Sequence, residues 1–215
     1  MTILALDPST STTGIALVEF VGYSVPTVLY HSAITAGPKA DRWTRIRETR
    51  NRLSRVLAYL PAAFDAVAYE VPFVRGQAAT AALHQAIGAY LSLSGFAGFE
   101  ALPIMPNSAK AALNACRFLP HYETSAEQVA GRAHGKALMI DAVNTMFGLC
   151  LRPDEDAVAD AIGVALAAHK ITSERHRITE AKRLQPKLRI TLKAARSKIL
   201  HESELCQPET PILTP

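Results

Sequence analysis

Four carboxylates stand at positions where a charge is costly. Asp7 ends the apolar run Thr2–Leu6, and Glu70 lies within AVAYEVPFV (66–74), among residues expected to be buried. Asp156 and Asp160 are four apart in DAVADAIGVALAAH, so on a helix they share a face. Ionised acids are rare in apolar strands unless something compensates them. Convergence on divalent cations would compensate all of them at once. Hard carboxylate oxygens favour Mg²⁺ or Mn²⁺, and no His/Cys cluster argues for zinc. Taken singly, each acid has an ordinary explanation. Asp7-Pro8-Ser9 can be an Asx turn, Glu70 can pair with Arg75, and Asp156 can be a first-turn helix acid favoured by the dipole. Three such coincidences at strand and helix ends favour a shared site.

The elements that must position these acids follow from hydrophobic period and turn residues. Thr2–Leu6 reads as a strand, STSTTG as a turn, Ile15–Phe20 as a second strand and Thr27–Ile34 as a third. They form an antiparallel meander whose first strand, apolar on both sides, belongs at the centre of a sheet. Arg42–Leu60 has helical spacing, with Ile46, Leu53, Val56 and Leu57 on one stripe, and Pro61 closes it. A fourth strand covers Ala66–Val74, an Ala-rich helix Ala78–Leu93, and a fifth strand Glu100–Met105. Pro106-Asn107-Ser108 then opens a helix carrying Lys110. Residues 117–133 read as a loop or insertion, Gly135–Leu149 as a helix, and Asp156–His169 as an amphipathic helix. This order predicts an α/β fold, a mixed five-stranded sheet with helices on both faces.

Of 215 residues, 49% are hydrophobic and 20% charged, the balance of a globular protein. No run of eighteen apolar residues suggests a membrane span. MTILALDPSTSTTG lacks a basic n-region and carries an acid at position 7, so it does not read as a signal peptide. Cys116, Cys150 and Cys206 are odd in number and widely spaced, which fits reduced thiols rather than a disulfide framework or a zinc site. The net charge of +4 is unevenly spread: −1 over residues 1–169, +8 over 170–200 and −3 over the last fifteen. A domain over 1–169 followed by a basic extension over 170–215 suits a polyanionic partner, because neutralised phosphates release counterions. A solvated basic tail is the plainer alternative.

The motifs together resemble those of RuvC-like Holliday-junction resolvases, members of the RNase H-like superfamily. LALDPSTSTTG resembles their first motif, VAYEVPFV the second, and AVADAIGVALAAH the C-terminal helix. LHQAIGA (83–89) resembles the helix after the second acid, PNSAK ending at Lys110 the proline-to-lysine segment, and Gly135-Lys136 the second lysine. The likeness covers residues 2–169 in order. Two departures mark a divergent, phage-type branch. Ala157 stands three residues before Asp160, where the best-known members carry an acid, so Asp156 is the nearest substitute. The insertion at 117–133 and the basic tail are the second departure.

The resemblance implies a Mg²⁺-dependent endodeoxyribonuclease (Mn²⁺ as a substitute) that resolves four-way or branched DNA junctions with two ions per site. Asp7, Glu70, Asp156 and Asp160 would be the metal-binding and catalytic carboxylates, with Asp7 bridging and Lys136 among the catalytic groups. Lys110, Lys136, Arg75 and Phe73 would contact DNA, Phe73 by stacking on an unpaired base. His84 and Gln85 would lie near the site. The expected partners are junction DNA and a second copy in a two-fold dimer, with the helix Ala78–Leu93 at the interface. The expected location is the cytoplasm of a bacterial or phage-infected cell. Two alternatives remain. One is a catalytically inactive RNase H-like nucleic-acid-binding protein, against which the retained acids speak. The other is an actin-like ATPase fragment, which shares an Asp-turn-Thr-Gly hairpin but needs a second Gly-rich loop and a longer chain.

Overall fold

The structure is a computed structural model that describes residues 1–22, 24–72, 77–114 and 125–179. Five strands form one sheet: β1 (Thr2–Asp7), β2 (Thr12–Glu19), β3 (Thr27–Thr35), β4 (Ala66–Glu70) and β5 (Ala101–Ile104). Their order is β3-β2-β1-β4-β5. β1 runs antiparallel to β2 and parallel to β4, so the sheet is mixed with β1 at its centre. Residues 2–6 of β1 are buried throughout, which is why this strand is apolar on both sides.

Helices α1 (Arg42–Ala58), α2 (Gln77–Leu91), α3 (Pro106–Ala112) and α4 (Ser125–Phe147) connect and cover the strands. A fifth, α5, starts at residue 156 and is followed here to 171, where the compact unit Met1–Ile171 ends. Residues 172–179, which open the second unit, are helical. Asp41 caps α1, its side chain accepting from the backbone N–H groups of Trp43 and Thr44 at 2.9 and 3.1 Å.

Alternate residues of each strand divide between two cores. Leu4, Leu6, Ile15, Leu17 and Val67 pack with Ile46 and Leu53 of α1 and with Ala86 and Tyr90 of α2. Ile3, Ala5, Ala16, Val18 and Ala68 pack with Ala109 of α3, Met139 and Val143 of α4, and α5. Both faces of the sheet are therefore covered by helices, as the sequence pattern predicts. Among the described residues, no helix is long and apolar enough to cross a membrane. Cys150 is exposed and unbridged, whereas Cys116 and Cys206 lie outside the described residues.

Two local expectations are corrected. β2 begins at Thr12, not Ile15, because Thr12 and Thr13 join the ladder opposite Thr35 and Ile34. Both are β-branched and suit a strand as well as a turn. The segment expected to be irregular over 117–133 is helical from Ser125, so Gly135 and Lys136 lie well inside α4, not at its start. SAEQVA contains good helix formers, and each interior glycine costs only about 1 kcal/mol against them. Lys136 is thus beyond the first turn, where the dipole would penalise a cation. Residues 117–124 lie outside the described residues.

Candidate metal and nucleic-acid site

Strand parity sets the acids on one side. Asp7 follows Ile3 and Ala5 on the face covered by α3, α4 and α5, and Glu70 follows Ala68 on that same face. β1 and β4 pair in parallel with Ala5 opposite Ala68 and Leu6 opposite Tyr69. One further step in that register sets Asp7 beside Glu70. Asp156 and Asp160 stand on the first turns of α5, against the same face.

The electrostatics show that these groups feel one another. Burial, then the charges of Glu70, Asp160 and Asp156, push the Asp7 carboxyl well above the usual carboxylate range, and Lys136 opposes the shift. Burial and Asp160 push Glu70 up to about 7, against the pull of Lys110. Asp160 is pushed up to about 6 by burial, with Lys110 and Lys136 opposing and Asp156 adding to it. Among the described residues, no group of three or more His, Cys, Asp or Glu side chains is arranged to hold a metal ion as it stands. The acids are instead held close enough to raise each other's pKa, a cost that two lysines offset in part. A hard divalent cation is the partner such an oxygen-only set suits.

Lys136 of α4 forms an ion pair with Asp156. The lysine is 60% exposed and the acid 26%, so the pair sits at the solvent edge of the cluster. Lys110 is half-buried in the last turn of α3, a helix that Pro106 opens. The sequence-predicted Asp7, Glu70, Asp160, Asp156, Lys110 and Lys136 therefore share one neighbourhood. His84 and Gln85 are exposed on α2, a helix of the opposite face, and do not line the groove beside the acids. Phe73 and Arg75 lie outside the described residues. Ala157, at the position where an acid was missed, is buried, and its carbonyl presses on β2.

Two supports are absent from the sequence reading. Gly14, paired with Asp7, lies so close to α5 that a Cβ there would stand 1.8 Å from the Ala157 carbonyl oxygen. Only a residue without a side chain lets the acid-bearing helix settle against the hairpin. In the sequence it reads as the last residue of a turn, and only the structure sets it inside a strand. The second support is a buried hydroxyl set. Tyr90 of α2 is fully buried and donates to the Ser9 carbonyl at 3.1 Å, while the buried Thr13 and Thr49 hydroxyls hydrogen-bond to its phenol. Thr13 in turn donates to the Ser9 carbonyl at 3.3 Å. The turn that follows Asp7 is thereby tied to the opposite face.

The sheet order, the helices on both faces and the acids at one end of the central strands define an RNase H-like α/β fold. The chain is similar to RuvC of T. thermophilus solved in complex with a Holliday junction substrate. Identity is 22% and the TM-score 0.58, over 78% of this chain and 92% of that one. A further Thermus thermophilus RuvC structure matches with 24% identity and a TM-score of 0.55 over the same shares. At such identities the likeness establishes the fold. No protein-family model and no curated protein matches the sequence.

Proposed function

We propose that this chain is a divalent-metal-dependent endonuclease that cuts four-way or branched DNA junctions. The observation that carries the reading is the meeting of Asp7, Glu70 and Asp160, from two adjacent strands and a helix, at one end of one face, where each raises another's pKa or has its own raised. The fold shared with a RuvC solved on a Holliday junction supports it.

Asp7, Glu70 and Asp160 would hold Mg²⁺, or Mn²⁺ in its place, with Asp156 as the fourth carboxylate. When bound, two such ions supply activation of the attacking water and charge stabilisation of the leaving 3′ oxygen. The protein's part is positioning. Asp7, on the central strand with Glu70 beside it on β4 and the α5 acids against the same face, would contribute its carboxylate to the metal site. Lys110 lowers the cost of keeping Glu70 and Asp160 charged together. Lys136 holds Asp156 by its ion pair and stands at the solvent edge, where a phosphate would arrive. Phe73 is assigned to base stacking and Arg75 to the DNA backbone. The basic extension 170–215 adds phosphate contacts to the nuclease domain 1–169.

A two-fold dimer belongs to the same reading, since paired cuts across a junction need two sites in symmetric positions. On α2, Ala82, Ala86 and Tyr90 face the protein's own core, while Ala78, Ala81 and Gly88 remain exposed and small enough for a second copy to approach. The test offers labelled four-way, flap and linear DNA with Mg²⁺ to the wild type and to Asp7→Asn. Junction cleavage by the wild type and none by the variant is the expected result. Equal cleavage by both ends the metal-nuclease reading, and linear duplex cut as fast as junction removes the junction preference.

A further inference from the structure

A groove of about 680 Å³ runs from the acids across the sheet toward the edge strand β3. Asp7, Asp156, Asp160 and Lys136 line one end, and Ser11, Thr12, His31, Ser32 and Thr35 line the other. Arg152, Asp154, Glu155 and Ala157 form a further wall. Sheet register explains the connection. Gly14 pairs with Asp7 on one side and with Ala33 on the other, so His31, Ala33 and Thr35 share the face of Asp7 two strands away.

The two ends differ in chemistry. The acid end and its wall carry Asp7, Asp154, Glu155, Asp156 and Asp160. Arg152 is engaged there with Asp154 and Glu155, at 3.5 and 3.4 Å. Among the described residues that line it on the β3 side, none is a carboxylate. That end offers hydroxyls and one imidazole. Among the described residues its one ring is that of His31, too little for the aromatic platform on which bases stack. Hydroxyls and an imidazole without a carboxylate beside them are groups that meet phosphate and sugar oxygens.

We infer that the β3 end of this groove seats the sugar–phosphate backbone of the DNA strand being cut, on one side of the scissile phosphate. The inference rests on the nuclease reading and adds a subsite to it. Strands are about 4.8 Å apart, so β3 lies about 10 Å from β1, which is up to roughly three nucleotide steps at 3.4 Å each. The contact therefore falls within three phosphates of the cut.

The experiment maps the cut made by the full-length wild type on a four-way junction. It then replaces single phosphates, one to four steps to either side, with uncharged methylphosphonates. Single-turnover rates against protein concentration are measured for wild type and for His31→Ala/Thr35→Val, two exposed positions whose change leaves both cores intact; equal melting temperatures check this. A neutralised phosphate within three steps on one side should raise the wild type's half-saturating concentration about tenfold. The double variant should show the same rise on unmodified junction, keep its plateau rate within twofold, and lose nothing more on the modified one. If the variant saturates like wild type, or if its loss and the phosphate's multiply at every position, the subsite is wrong while the nuclease reading stands. If the wild type cuts no DNA with Mg²⁺ or Mn²⁺, the reading beneath it falls and takes the subsite with it.

Discussion

The two faces of the sheet are built from different materials. Toward α1 and α2 the strands present the large side chains Leu4, Leu6, Ile15, Leu17 and Val67. Toward α3, α4 and α5, the end that bears the acids presents Ala5, Gly14, Ala16 and Ala68, met by Ala159, Ala161 and Ala165 of α5. Large residues bury more apolar surface, each worth about 1.5–3 kcal/mol when fully covered. Small ones let helices approach closely and leave room at the end of the sheet for Asp7, Glu70 and Asp160. Both faces bury an apolar core, and the second also brings charge together at one end.

The largest test of that division is Asp7→Asn. On the charged face we expect cleavage to fall about 10³-fold, equivalent to about 4 kcal/mol of transition-state stabilisation, in a quantitative junction-cleavage assay. The melting temperature without metal should rise, because a buried carboxyl crowded by three acids is replaced by a neutral group. A variant that loses activity and stability together would mean that the acids hold the fold. Next in size is the opposite face. Leu17→Ala removes a fully buried side chain and should cost about 2–5 kcal/mol in denaturant unfolding, while the molecules that remain folded keep their metal dependence.

Gly14→Ala probes the boundary. The added methyl cannot coexist with the Ala157 carbonyl at 1.8 Å, so α5 or the hairpin must shift. Overpacking of this kind costs about 1–3 kcal/mol. Because the displaced element carries Asp156 and Asp160, cleavage should fall more than the stability change alone explains. Stability and activity falling in proportion would make Gly14 a packing residue with no part in aligning the acids.

Much of this arrangement was legible locally. Asp7 and Glu70 announce themselves as acids in apolar strands, and β1 announces its central place by being apolar on both sides. What was not legible depends on contacts distant in sequence. Thr12 and Thr13 read as turn formers until Thr35 and Ile34 are paired with them. Lys136 was placed at a helix start because Gly135 looked like a boundary, whereas α4 begins ten residues earlier, at Ser125. Gly14 owes its role to the Ala157 carbonyl, and Tyr90 to a carbonyl 81 residues away. No window of sequence contains those pairs.

A smaller effect is expected from pH in the absence of divalent metal. Glu70, near 4.5 when unfolded and about 7 when folded, and Asp160, near 3.8 and about 6, both bind protons more tightly in the folded state. Acids with raised folded pKa values contribute stability that is fully present below about pH 4 and is lost as pH rises through 6 to 7. Metal-free protein should therefore melt at progressively lower temperature from pH 5 to pH 8, and Mg²⁺ or Mn²⁺ should flatten that slope. A slope unchanged by either ion would show that the cations are held elsewhere.

The smallest predicted effect joins the two faces. Tyr90 belongs to the apolar face, yet its hydroxyl reaches the Ser9 carbonyl, two residues beyond Asp7. Tyr90→Phe keeps the ring in its core and removes only that donor, leaving the Thr13 and Thr49 hydroxyls without their shared partner. Loss of this hydroxyl with its hydrogen bonds to the Ser9 carbonyl, Thr13 and Thr49 should lower stability by about 1–2 kcal/mol. If the α2 face fixes the geometry of the charged one through this contact, the variant should need more Mg²⁺ for half-maximal cleavage, with the rate at saturating metal little changed. A stability loss with an unaltered metal requirement would mean that the faces are joined by packing alone, and that the turn after Asp7 is set by its own hydroxyls, Ser9, Ser11 and Thr13, which already bond among themselves and to its backbone.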